Sequence, residues 1–141
     1  MPSISVLLPC YNASATLDEA LASLVAQSFT DFEIIAVDDG SQDDTLPRLR
    51  AWQAKEPRLR SITLPHQGII ATLNAGLEAS TAPLVARMDA DDRCHPARLA
   101  RQSAYLHTHP EIDVLGCQVE AFPAETIGEG LRLYLDWQNA L

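Results

Sequence analysis

The sequence predicts an α/β fold: a mostly parallel sheet with helices on both faces. Three observations carry that prediction. SISVLLP (Ser3 to Pro9), FEIIAVD (Phe32 to Asp38) and PLVARMD (Pro83 to Asp89) are short apolar runs with the composition of strands buried on both faces. Helix-length segments separate them, and consecutive parallel strands need crossovers of that kind. Each run ends in polar or acidic residues, which places chemistry at the carboxyl edge of the sheet, where ligands of such sheets bind.

The elements follow in order. After the first strand and PCYN, the stretch Thr16-Leu17-Asp18-Glu19 has the form of a capping box, and Leu17, Leu21, Leu24 and Val25 mark one face of a helix of about three turns. FEIIAVD is the second strand. The next helix starts near Asp43 and carries Leu46, Leu49 and Trp52 on one side, with RLRSITLP (Arg58 to Pro65) as a strand after it. QGIIATLNAGLEAS (Gln67 to Ser80) is a helix, and PLVARMD is the next strand. Pro96 suits the first position of a helix over Pro96 to His109, and IDVLGCQV (Ile112 to Val119) reads as a further strand. The texture changes at FPAETIGEG (Phe122 to Gly130), so the sheet domain is expected over residues 1–120 and a different region over 121–141.

Composition narrows the function. At 141 residues and 47% hydrophobic, the chain can bury one core. A net charge of -9 argues against general affinity for nucleic acid or anionic membrane, and a polyanionic ligand would need a cation or a local exception to the negative surface. No apolar run nears the roughly 20 residues of a spanning helix. The N-terminal MPSISVLLPCYN has neither a charged leader region nor a cleavage site, so a cytoplasmic location is expected. Cys10, Cys94 and Cys117 are odd in number and widely spaced, as expected of buried thiols in a reducing compartment.

Two acidic clusters carry the chemistry. In MDADD, Asp89 and Asp91 are two apart, so an extended backbone points both carboxylates to one side, where one Mg²⁺ or Mn²⁺ could meet them. The plainer alternative is a solvated loop that caps the following helix. In VDDGS, the residues suit an ordinary turn, with Ser41 to Asp44 capping the next helix. One of its carboxylates could instead accept a hydrogen bond from a base edge, which selects uracil, with its N3 hydrogen, over cytosine. Tyr11 could then stack on the base, although a tyrosine after a strand is more often part of the core. The histidines show no partner pattern. Arg87 and Arg93 suit salt bridges to nearby carboxylates as well as phosphate, and Asn74 suits a structural role within its helix.

PCYN, EIIAVDDGSQDDT, LNAGLEAS and MDADD, in this order and spacing, resemble the nucleotide-sugar-binding part of family 2 glycosyltransferases with the GT-A fold, a Rossmann-like sandwich. The resemblance covers roughly Ser3 to Val119. It implies inverting transfer, by direct displacement, from a UDP-sugar to a saccharide or cell-surface glycan precursor. It also implies that Pro9, Tyr11, Asn12, Asp38, Asp39 and Asp89 bind the nucleotide, and that Asp89 and Asp91 hold a divalent metal. Such enzymes resemble one another in a further acidic residue, the general base, well beyond the DAD segment. No later carboxylate here sits in such a motif, and LRLYLDWQNAL (Leu131 to Leu141) is an amphipathic helical pattern without a stop signal. The base and most of the acceptor side are therefore expected outside this chain. Two other readings are open: a Mg²⁺-dependent phosphoryl-transfer or receiver-like domain, and a nucleotide-binding module without catalysis. A receiver should carry its acidic pair after the first strand, where this chain has PCYN.

Overall fold

The computed structural model describes residues 1–140. Its elements are β1 (Ile4–Cys10), α1 (Leu17–Val25), β2 (Phe32–Asp38), α2 (Thr45–Gln53), β3 (Leu59–Thr63), α3 (Ile69–Ala79), β4 (Leu84–Arg87), α4 (Arg98–Thr108), a short 3-10 turn (Ala124–Thr126) and α5 (Glu129–Asn139). They fall into two compact units, Met1–Arg101 and the residues from Gln102 onward.

The first unit holds the four-stranded sheet, in the order β3-β2-β1-β4. Every pairing is parallel, and β1 and β2 run in step from Ile4 beside Phe32 to Cys10 beside Asp38. The chain steps outward from β1 to β2 to β3, then returns to place β4 on the other side of β1. That reversal opens a crevice beyond the carboxyl ends of β1 and β4, the usual ligand position in such sheets.

Side-chain alternation builds the two faces. Ile4, Val6, Leu8 and Cys10 of β1 join Phe32, Ile34 and Ala36 of β2 in one cluster with Leu17, Leu21 and Leu24 of α1, Leu49 of α2 and Leu99 of α4. Leu7, Ile35 and Val37 face the other way, with Ala75 and Ala79 of α3 packed on them. Each fully buried Leu or Ile contributes roughly 1.5–3 kcal/mol relative to exposure. Gly76 lets α3 lie close: an added Cβ there would stand 3.3 Å from the Leu7 side chain. Helices thus cover both faces, as the sequence predicts.

Local expectations need correction in several places. IDVLGCQV forms no strand. Its apolar, β-branched residues supply strand propensity but no partner to complete a ladder. The Val119 amide donates to Asn139 Oδ1 at 2.8 Å and its carbonyl accepts from Asn139 Nδ2 at 2.7 Å, while Val114 is exposed. β4 is an edge strand rather than one buried on both faces, with Val85 exposed. The capping box does not close: Thr16 already has a helical ψ of -20°, and the Glu19 amide donates to the Thr16 carbonyl at 3.1 Å rather than to its hydroxyl. At α2 the caps differ too: Asp43 Oδ1 accepts from the Thr45 amide at 2.9 Å. α4 begins at Arg98, two residues after Pro96, whose carbonyl accepts from the Ser28 amide at 2.8 Å. All three cysteines are free, but Cys117 is exposed and only Cys10 and Cys94 are buried.

In the second unit, α5 carries Leu131, Leu133, Tyr134 and Trp137 exposed. Among the described residues no helix is long and apolar enough to cross a membrane.

Candidate nucleotide site

The loops after β1 and β2 are stitched together by their own hydrogen bonds. Asn12 adopts a φ of +48°, a conformation asparagine tolerates better than most residues. Its amide donates to Ser41 Oγ at 2.9 Å, and its Oδ1 accepts from the Gln42 amide at 2.9 Å. The Ala13 amide donates to Thr45 Oγ1 at 2.8 Å, and the Ser14 amide to Asp43 Oδ2 at 3.0 Å. These bonds hold the Asp43 carboxyl far below its ordinary range, chiefly through the Thr45 and Ser14 bonds, against a smaller opposing effect of burial. Asn12 therefore fixes the rim of the site through its backbone and side chain.

A cleft of about 200 Å³ opens between these loops and the segment leading into α3, lined by Pro9, Tyr11, Asp39, His66, Gly68 and Thr72 among others. Pro9, Tyr11 and Asp39, singled out from the sequence, thus meet in one place. Asp39 is 3% exposed, yet its carboxyl lies below the usual range. Burial pushes it up, but the Gln67 amide at 2.8 Å, the Gly68 amide at 2.9 Å and the imidazole of His66 outweigh that effect. The His66 Nδ1 lies 2.9 Å from Asp39 Oδ2, and its ring stacks on Tyr11 with centroids 4.2 Å apart and planes 20° apart. His66 is the site residue that sequence reasoning missed. The only signal was the Pro65 to Gly68 turn between a strand and a helix.

Asp38 does not line the cleft; it ends β2, in register with Cys10, which does. Asp38 is 1% exposed; Oδ1 accepts from the Ser41 amide at 3.3 Å, whereas Oδ2 is buried without a hydrogen-bond partner. Such an oxygen costs stability unless a ligand or water meets it. The neighbouring Cys10 thiol is pushed up to about 12, by burial first and by the Asp38 charge second, so it behaves as an inert core thiol.

The DAD segment follows β4, beside β1. The Met88 amide donates to the Leu7 carbonyl at 3.0 Å, which holds the segment against the sheet as it leaves β4. Met88 and Ala90 are buried, while Asp91 and Asp92 are exposed and Asp89 is half-buried. Arg87 grips Asp89 with both Nε and an Nη, at 3.0 and 3.1 Å. Arg93 pairs with Glu19. Burial, then Asp91 and Asp89, push the Asp92 carboxyl up, the mark of a concentrated negative field. These oxygen donors fit a hard divalent ion, which needs one or two protein carboxylates when phosphates complete its shell. Among the described residues, no group of three potential ligands is already gathered around one point. Asp39 after β2 and the DAD segment after β4 thus flank the end of β1, which leads directly into Tyr11, at the strand-order reversal.

The comparisons agree with this architecture. The model of the family "Glycosyl transferase family 2" matches residues 5–139. An uncharacterized glycosyltransferase of Haemophilus influenzae is 33% identical over 99% of this chain, which spans 45% of that relative's length. Among solved structures, S. aureus TarS in complex with UDP superposes with a TM-score of 0.79 at 28% identity, covering 92% of this chain and 38% of TarS. The mannosyltransferase PcManGT of Pyrobaculum calidifontis, in complex with GDP-Man and Mn²⁺, gives a TM-score of 0.73 at 25% identity over 85% of this chain and 36% of its own. The fold is that of GT-A glycosyltransferases, and with the family model matching nearly the whole chain, the protein belongs to glycosyl transferase family 2.

Proposed function

We propose that the chain is the donor-binding part of an inverting glycosyltransferase that uses a UDP-sugar and a divalent cation, with a saccharide or glycan precursor as acceptor. The observation that carries this reading is the convergence of Tyr11 and Asp39 in one cleft at the sheet edge where the DAD segment also emerges. The TarS complex with UDP supports a uridine donor, and the PcManGT complex supports a divalent ion.

In this reading the base stacks on Tyr11 and its N3–H donates to Asp39. That carboxylate is kept ionised by the Gln67 and Gly68 amides, so it can only accept. Pro9 closes the floor of the cleft, Asp38 supports it, and Asn12 holds its rim. Asp89 and Asp91 take the ribose and diphosphate end, where a bound divalent ion would stabilise charge developing on the departing nucleoside diphosphate. Arg87 neutralises Asp89 until the donor arrives. The base that deprotonates the acceptor is assigned to no residue of this chain. The catalytic reading fits the end of β1 better than a receiver-like one, because β1 ends at Cys10 and leads into Tyr11 and Asn12 rather than an acidic pair.

The PcManGT complex favours a second reading, a guanosine donor. Calorimetric titration of the chain with UDP, CDP and GDP in Mn²⁺ separates the two. The uridine reading expects UDP to bind tightest, with CDP weaker by roughly tenfold or more, because cytosine would set an acceptor against the buried Asp39 acceptor. Tighter binding of GDP would replace it.

A further inference from the structure

We propose that His66 is a gate on the nucleotide pocket, a side chain that occupies the base-stacking face of Tyr11 and must swing away before the base can enter. The inference rests on the uridine reading of the cleft above and goes beyond it, because that reading assigns His66 no part.

The geometry is restrictive. The imidazole lies over the Tyr11 ring at 4.2 Å between centroids, nearly parallel. A base between the two rings would need two stacking separations of about 3.5 Å each, so the rings cannot accept one without parting. The same imidazole takes up hydrogen-bonding capacity of Asp39, with Nδ1 2.9 Å from Oδ2 and 3.2 Å from the Asp39 carbonyl oxygen. His66 thus covers both groups that would read the base.

The loop is built to let this side chain move alone. Its backbone is fixed on either side of the histidine: the Leu64 amide donates to the Asp38 carbonyl at 2.9 Å, and the Gln67 and Gly68 amides hold the Asp39 carboxylate. The His66 side chain, by contrast, is 55% exposed and free to rotate outward into solvent. Such rotations of exposed side chains are fast and need no backbone change. When the ring leaves, Asp39 keeps both amides, because a carboxylate has about four acceptor positions, and the vacated position suits a base N–H. Closed and open states therefore exchange one stack and one hydrogen bond for another pair, and the donor must bind against the closed state.

The consequence runs opposite to that of a binding residue. His66→Ala should tighten UDP binding by roughly fivefold to tenfold, the worth of an aromatic stack and an exposed hydrogen bond that the base no longer displaces. CDP should tighten by the same factor, since the gate is lifted before the base is read. His66→Phe keeps the stack without the hydrogen bond and should fall between wild type and alanine. Calorimetry on the three chains in Mn²⁺, with urea unfolding to confirm that each is folded, gives the factors. Proton NMR supplies a readout independent of affinity: the His66 ring protons should lie upfield in the free chain, lose that shift in Tyr11→Leu, and lose it again on saturation with UDP. Weaker or unchanged UDP binding in His66→Ala, or ring protons that stay upfield with UDP bound, overturns the gate and leaves the uridine reading standing. Failure of wild type and His66→Ala alike to bind UDP overturns both.

Discussion

Replacing Asp39 by asparagine tests the base-reading carboxylate and the loop it organises at once. The carboxylate accepts from two backbone amides on separate oxygens, Gln67 on Oδ1 at 2.8 Å and Gly68 on Oδ2 at 2.9 Å. Asparagine has a single acceptor oxygen. Whichever way the amide is turned, its NH₂ faces one of the two N–H donors, and that buried donor loses its partner. Hydrogen bonds to a charged group are worth about 1.5–3 kcal/mol each, so Asp39→Asn should destabilise the chain by about 2–3 kcal/mol in urea unfolding followed by circular dichroism. The pH dependence has a fixed sign. The folded carboxyl of Asp39 lies below its unfolded value, so its contribution is fully present above the unfolded range near pH 4 and fades as pH falls through the folded pKa. The gap between wild type and variant should therefore be constant near neutrality and narrow in acid. In binding, the new NH₂ can donate to cytosine N3, so the preference for UDP over CDP should collapse. A variant within about 0.5 kcal/mol of wild type, or one with unaltered preference, would refute the reasoning.

Two further substitutions bracket the site. Gly40 has a φ of +70°, and a Cβ there would stand 2.8 Å from the His66 amide nitrogen and 3.2 Å from the Leu64 carbonyl oxygen. Gly40→Ala should cost about 1–3 kcal/mol of stability in urea unfolding and weaken UDP, because the displaced loop carries the amides that hold Asp39. Leu24 of α1 is fully buried on the opposite side of the sheet from α3, so Leu24→Ala should cost about 2–5 kcal/mol in the same assay yet leave UDP affinity of the folded chain unchanged.

The sheet was legible in the sequence because its strands repeat one signature. Val6, Leu8, Ile34 and Val37 are apolar on both faces, and each run breaks sharply into polar residues. The same signature misleads at Ile112 to Val119, since composition reports propensity and not whether a neighbouring strand exists. Tyr11 and Asp39 could be paired in advance because parallel strands deliver their carboxyl ends to one edge. His66 could not be placed in advance. Its link to Asp39 spans 27 residues and depends on how the Pro65 to Gly68 turn folds back over β2, which no local pattern states. The grip of Arg87 on Asp89 is local, and an arginine flanking an acidic cluster suits a salt bridge to a nearby carboxylate at least as well as a phosphate contact. The Thr16 box failed because Thr16 is itself wound into the helix, so the Glu19 amide meets the Thr16 carbonyl at 3.1 Å instead of the hydroxyl.

The central claim, a uridine-diphosphate site completed by a divalent ion at the end of β1, is tested most directly by titrating the chain with UDP in Mn²⁺ and again in chelator. Without the cation, the diphosphate would meet Asp89, Asp91 and Asp92 in a chain of net charge -9, a repulsion that solvent, Arg98 and Arg87 offset only in part. The account predicts saturable one-to-one binding in Mn²⁺ that weakens by roughly tenfold or more in chelator, with Asp91→Ala producing the same loss in the presence of the metal. Equal affinity with and without the metal would contradict it.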